Sequence, residues 1–377
     1  MISPKFFYDT LAGCGIDFFT GVPDSLLKNL CAFITEHSDG SHHIIAANEG
    51  GAVGIAAGHY LATGRIAAVY LQNSGEGNII NPLASLTDPD IYGIPVLLII
   101  GWRGEPGVPD EPQHLKQGKV TCELLNVMGV EYSVLSKDEP AARLQIQNAV
   151  ERMRAGNQCY ALVVEKDTFA SCPGDSIPEK HQYPMSREEA IQAVAAATDT
   201  KDIIVSTTGM ISRELFEYRV AAGRSHQQDF LTVGSMGHAS QIALGVALEK
   251  KDRRVWCFDG DGAAIMHMGG MAVVGTRAPE NYVHVLFNNG AHDSVGGQPT
   301  AGLAIDFPAI AAACGYRKVL SVSEKAALTA ALEDIGTAAA GPVFLEIKVR
   351  KGCRKDLGRP TTKPVQNKEA LMDFLKG

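Results

Sequence analysis

The sequence predicts an α/β protein of two domains, each a parallel sheet with helices on both faces, and no third domain between them. Three observations carry that prediction. Short, continuous apolar runs alternate with segments of helical character, the series stops at a proline-rich stretch and then restarts, and 377 residues exceed what one core of ordinary size organises. Runs that are apolar throughout mark strands covered on both faces, as parallel sheets are.

The first series comprises "IDFF" (16 to 19), "HHIIA" (42 to 46), "IAAVYL" (66 to 71), "IPVLLII" (94 to 100), "EYSVL" (131 to 135) and "YALVVE" (160 to 165). "TFASCPGDSIPEKHQYPMS", residues 168 to 186, then breaks both periodicities with three prolines. The chain therefore divides into a domain at 1–167, a linker at 168–185 and a second domain at 186–377. Ser186 and Glu189 in "MSREEAIQAV" form a capping box that opens the first helix of the second domain. The second series follows as "DIIVS" (202 to 206), "RVWCF" (254 to 258), "YVHVLF" (282 to 287), "GYRKVL" (315 to 320) and "VFLEIKV" (343 to 349).

A net charge of -8 with scattered Lys and Arg leaves no basic face for nucleic acid or anionic lipid. No stretch of 18 apolar residues occurs, and the N-terminus lacks a basic segment followed by a long apolar one, so we expect no membrane association and a cytoplasmic location. The eight cysteines form no Cys-x-x-Cys pair and several lie in apolar runs, which predicts reduced core residues.

"VWCFDGDGAAIMHMGGMAVV", residues 255 to 274, places Asp261 between two glycines at a predicted strand end. Ligands of open parallel sheets sit at that edge, where backbone N–H groups meet anions. Glycines admit a diphosphate close to the main chain, but a carboxylate beside it needs a hard cation between them. Asp261 is thus a candidate magnesium ligand. The next run ends in "FNNGAHDS", so Asn288 and Asn289 emerge at the same edge and offer an amide oxygen as a second ligand.

Gly262 and Asn288 are separated by 25 residues, and a GDG followed at that distance by NN resembles the thiamine-diphosphate enzymes. The resemblance implies magnesium held by Asp261, Asn289 and the carbonyl of Ala291, with Gly262 and Ala263 at the diphosphate. "VGSMGHAS" is similar to the segment that bends the coenzyme, which implies Met236 beneath it, flanked by Ser235, and the Gly234 carbonyl at its amino group; "STTGM" implies Thr208 and Gly209 at the diphosphate. "AANEGGAVGIAAGHYLATG" resembles the helix opened by a catalytic glutamate. Glu49 would share a proton with the pyrimidine ring and favour its imino form.

"FFTGVPDSLLKNL", "QNSGEGNIINPLASL", "GWRGEPGVPDEPQHLKQG" and "NNGAHDSVGGQPT" look like the two-domain 2-oxoacid decarboxylases of that family, those acting on phosphonopyruvate or its sulfonate counterpart. The resemblance spans essentially the whole chain. It implies non-oxidative decarboxylation of phosphonopyruvate to phosphonoacetaldehyde and carbon dioxide, in phosphonate biosynthesis. A homodimer or larger homo-oligomer, with the active site between subunits, is implied with it. Candidate proton donors are Asp24, His114 and His292, although His292 is equally placed to hydrogen-bond structure. Ser25, Arg103, Lys116 and Ser294 are candidates for the substrate's anionic end, although Arg103 and Lys116 suit solvated loop charges better. Sulfopyruvate, or another 2-oxoacid, is the alternative substrate. A nucleotide-binding oxidoreductase is disfavoured, because no G-x-G-x-x-G follows the first strand of either half.

Overall fold

The computed structural model describes residues 1–171, 182–337 and 341–376. The chain divides into two compact units, Met1–Ile177 and Pro178–Gly377. In the first, six strands form one sheet: β1 (Phe19–Gly21), β2 (His43–Ile45), β3 (Ala67–Gln72), β4 (Val96–Gly101), β5 (Glu131–Val134) and β6 (Tyr160–Val164). In the second, β7 (Ile203–Ser206), β8 (Asp229–Leu231), β9 (Val255–Gly260), β10 (Tyr282–Asn288), β11 (Lys318–Val322) and β12 (Val343–Lys348) form another.

The first sheet runs β2-β1-β3-β4-β6-β5 and the second, from the opposite end, β8-β7-β9-β10-β12-β11. Counted within its own unit, each sheet has the order 2-1-3-4-6-5, and the strands pair in parallel. Central strands are buried along their length, β4 at every residue, whereas the edge strands β2 and β11 are only partly covered. That difference follows from β-branched and leucine side chains packing against helices on both faces at the centre.

Strand order reverses between β1 and β3, and again between β7 and β9. At such points the two connecting loops leave in opposite directions, and a crevice opens beyond the strands' carboxyl ends. In the first unit it is flanked by the segments after Gly21 and Gln72, in the second by those after Ser206 and Gly260.

Four details depart from the sequence reading. β8 is absent from it: this edge strand has three residues, and its buried Asp229 holds Arg219 through two 2.9 Å bonds, so no apolar run marks it. β1 begins where the expected run ends. Both ends of the expected linker belong to folded units. Ile2 N–H donates to Thr168 O and Ala170 N–H to Ile2 O, with Phe169 buried against Phe7, while Arg350 N–H donates to the carbonyl of buried Met185. Residues 172 to 181 of that linker, including Cys172, lie outside the described residues. Finally, Cys31, Cys159 and Cys257 are buried free thiols as expected, but Cys353 is exposed. The capping box forms as read, with Glu189 N–H donating to Ser186 Oγ and Ser186 N–H to Glu189 Oε2. No described helix is long and apolar enough to cross a membrane.

Candidate active site

In the first unit, Glu49 begins the helix Glu49–Thr63, whose small residues let it pack flat against the sheet. Asn48 caps it by accepting from Gly51 N–H at 2.8 Å, and Gly64 closes it in the left-handed conformation at φ 69. The Glu49 carboxyl is buried, and Asn78 Nδ2 donates to its Oε2 at 2.6 Å. The Gly75 backbone lies so close to Oε1 that any side chain at 75 would collide with it. The 3-10 turn Asn73–Gly75 and the helix Glu76–Pro82 that follow β3 are therefore the seat of this carboxylate.

Asp24 follows β1 and is fully buried. Its Oδ2 accepts from Leu26 N–H at 2.8 Å and Leu27 N–H at 3.3 Å, while Oδ1 has no partner among the described residues. Burial pushes its pKa up to about 6, against the pull of those N–H groups and of the Arg103 charge. Arg103 donates to Asp110 through Nε at 2.8 Å and NH2 at 2.5 Å, and to Ser25 Oγ through NH1 at 2.6 Å. His114 Nδ1 lies 3.0 Å from Asp110 Oδ1. Burial lowers the His114 pKa more than the Asp110 hydrogen bond raises it. One cluster thus joins Asp24, Ser25, Arg103 and His114, with Arg103 already ion-paired. Lys116 lies exposed on the helix His114–Val127.

In the second unit, Asp261 opens a short helix directly after β9, and Phe287 pairs with Gly260 across the β9–β10 register. The Asn288 and Asn289 side chains therefore emerge beside Asp261. Its carboxyl is 2% exposed, accepts from Thr300 Oγ1 and the Asn289 N–H, and is pushed up to about 6 by burial. The two asparagines differ in role. Asn288 donates to Gly302 O and Glu346 Oε1, both at 2.8 Å, and accepts from Gly290 N–H, which ties the loop down. Asn289 donates to Asp293 Oδ2 at 2.7 Å, and its Oδ1 accepts from Ala291 N–H at 3.0 Å, leaving a second lone pair.

Thr208 and Gly209 follow β7, Gly209 at φ 98 opening the helix Met210–Ala221, and Thr208 Oγ1 accepts from Gly234 N–H at 3.0 Å. Gly234, Ser235 and Gly237 all take positive φ, so the turn carrying half-buried Met236 is folded back on itself. His292 is part-buried, its pKa lowered to about 4 by burial against the pull of Asp293, and an imidazole above Gly262 meets any Cβ placed there at 2.9 Å. Ser294 is exposed, near Gly209. Sequence reasoning missed Asp110, Asn78, Thr300 and Asp293. The four-residue spacings of Asp110 with His114 and of Asn289 with Asp293 were the available signals, since Asn78 and Thr300 meet Glu49 and Asp261 across 29 and 39 residues.

Residues 4–123 match the family described as "Thiamine pyrophosphate enzyme, N-terminal TPP binding domain", and residues 207–347 its "C-terminal TPP binding domain". Two sheets of one topology with these matches define a coenzyme-binding pair of thiamine pyrophosphate (thiamine diphosphate) domains. The chain is 35% identical to the phosphonopyruvate decarboxylase of Streptomyces hygroscopicus, covering 99% of this chain and 94% of that one. It is 35% identical to that of Streptomyces viridochromogenes, covering 94% and 90%, and 30% identical to the sulfopyruvate decarboxylase of Methanosarcina acetivorans, covering 82% of each. The chain belongs to this family of thiamine pyrophosphate enzymes, the phosphonopyruvate and sulfopyruvate decarboxylases.

Proposed function

We propose that the chain is a magnesium- and thiamine-diphosphate-dependent decarboxylase that converts phosphonopyruvate to phosphonoacetaldehyde and carbon dioxide, acting in phosphonate biosynthesis in the cytoplasm as a homodimer or larger homo-oligomer. The observation that carries this reading is identity at 35% along nearly the full length of two phosphonopyruvate decarboxylases. Residues 1–167 would bind the pyrimidine end of the coenzyme and 186–377 its diphosphate.

The residues present suit both groups. Asp261 is a buried carboxylate with hydroxyl and N–H partners but no described cation beside it, and such a group takes a hard cation readily. Asp261, the Asn289 amide oxygen and the Ala291 carbonyl would hold magnesium. Thr208, Gly209, Gly262 and Ala263 would receive the diphosphate, and Gly234, Ser235 and Met236 the face of the coenzyme. When bound, the coenzyme supplies a nucleophilic thiazolium carbon and a cationic ring that accepts the electrons of the breaking carboxylate bond.

The chain's own groups handle protons and orientation. Glu49, held by Asn78, shares a proton with the pyrimidine ring. Asp24, poised near pH 6, and His114 and His292, both kept neutral by burial, move protons at the reacting carbon and its oxygen. Ser25, Lys116 and Ser294 remain candidates for the phosphonate, whereas the Arg103 guanidinium is committed to Asp110 and Ser25. Aldehyde release from phosphonopyruvate, sulfopyruvate and pyruvate, with and without coenzyme and magnesium, tests this. Phosphonopyruvate should be turned over best, and only with both additions; best turnover of pyruvate would sink the substrate assignment.

A further inference from the structure

Asp110 lies within "GWRGEPGVPDEPQHLKQG" but takes no role from the resemblance, and five donors converge on its carboxyl. Oδ1 takes Arg103 NH2 (2.5 Å), Glu111 N–H (2.7 Å) and His114 Nδ1 (3.0 Å), and Oδ2 takes Arg103 Nε (2.8 Å) and Gly104 N–H (2.7 Å). A carboxylate so surrounded is an acceptor only, and the Arg103 fork facing it secures the charge.

We infer that Asp110 is the positioning residue of the first unit's proton-handling cluster: it fixes His114 as the Nδ1–H tautomer, with Nε2 turned out as the proton acceptor, and commits the Arg103 fork so that Arg103 acts as a fixed charge rather than a clamp on substrate. Against an acceptor-only oxygen, Nδ1 has to carry the proton. Among the described residues Nε2 has no hydrogen-bond partner. The third guanidinium nitrogen is occupied as well, by Ser25 Oγ. The loop from Gly101 to His114 is held at its base, with Asn73 Nδ2 donating to Arg103 O at 2.8 Å and Trp102 Nε1 to Gly118 O at 2.8 Å, so Asp110 is not needed to close it. The kinetic consequence rests on the decarboxylase reading above; the tautomer does not.

The test is a nitrogen-15 and proton correlation spectrum of histidine-labelled full-length protein, with the His114 signal identified by its loss in His114→Gln. Wild type should show the proton on Nδ1, and Asp110→Asn should move it to Nε2 or into exchange. In the same variant kcat for phosphonopyruvate should fall by at least about 10-fold, with a smaller change in KM. A wild-type ring protonated on Nε2 overturns the inference, even if Asp110→Asn fails to fold. So does an Asp110→Asn protein that keeps both the tautomer and the wild-type kcat. A wild-type protein inert toward all three 2-oxoacids would defeat the function reading alone, and the spectrum would then decide the role of Asp110.

Discussion

Replacing Glu76 by Gln should stabilise the protein, and more so as pH rises. Glu76 is 3% exposed at the start of the helix Glu76–Pro82, whose Asn78 holds Glu49, with Thr121 as its side-chain partner and Oε1 without a partner among the described residues. Burial pushes its pKa from 4.5 up to about 8, the Thr121 bond pulling the other way. The folded protein therefore holds a proton there that the unfolded chain releases above pH 4.5. Stability linked to this group is complete below that pH and is lost progressively as pH rises to about 8. At about 1.4 kcal/mol per unit the full loss is on the order of 5 kcal/mol. Relaxation and water entry at an effective dielectric near 20 reduce this, and about 2 kcal/mol is the expected gain for Glu76→Gln at pH 8. For a unit of this size that is roughly 4 to 8 °C in Tm. Thermal unfolding followed by circular dichroism, at intervals from pH 5 to pH 9, measures it. The gap between variant and wild type should widen up to about pH 8 and then level off. A gap independent of pH would refute the argument, as would a variant less stable throughout.

Three further outcomes are expected. Glu49→Gln should abolish at least about 99% of turnover while the coenzyme still binds, which coenzyme titration separates from simple loss of the site. Gly302→Ala places a Cβ 2.5 Å from Asp261 Oδ2 and 2.8 Å from Asn288 Oδ1, both immobile, so it should cost about 1–3 kcal/mol in denaturant unfolding and weaken coenzyme retention. Asp261→Asn removes a buried charge that burial disfavours above about pH 6, so at pH 8 the coenzyme-free protein should melt a few degrees higher, while coenzyme affinity in magnesium falls at least about 10-fold.

Much of the fold was readable because the strands of a doubly covered sheet are apolar along their length, as in Val96–Gly101 and Val255–Phe258. β8 was not, because burying Asp229 with Arg219 removes the pattern that reveals a strand. Among the candidate residues, Asp261 and Glu49 stand out in the sequence because each is an acidic side chain set directly beside glycines. The distinct roles of Asn288 and Asn289 were hidden in an identical pair, and only the partners Glu346 and Asp293 separate them. Glu76 and Asn78 lie in "QNSGEGNIINPLASL", but their significance depends on Thr121 and Glu49, some 29 or more residues away. The charge on Arg103 read as a free cation because its counter-ion Asp110 is chosen by the folded loop.

The most direct test is a crystal structure of the protein grown with thiamine diphosphate and manganese in place of magnesium. An anomalous peak within about 2.3 Å of the Asp261 carboxylate, the Asn289 amide oxygen and the Ala291 carbonyl, touching the diphosphate, is what we predict. A metal or diphosphate seated elsewhere, with Asp261 still bonded only to Thr300 and the Asn289 N–H, would contradict it.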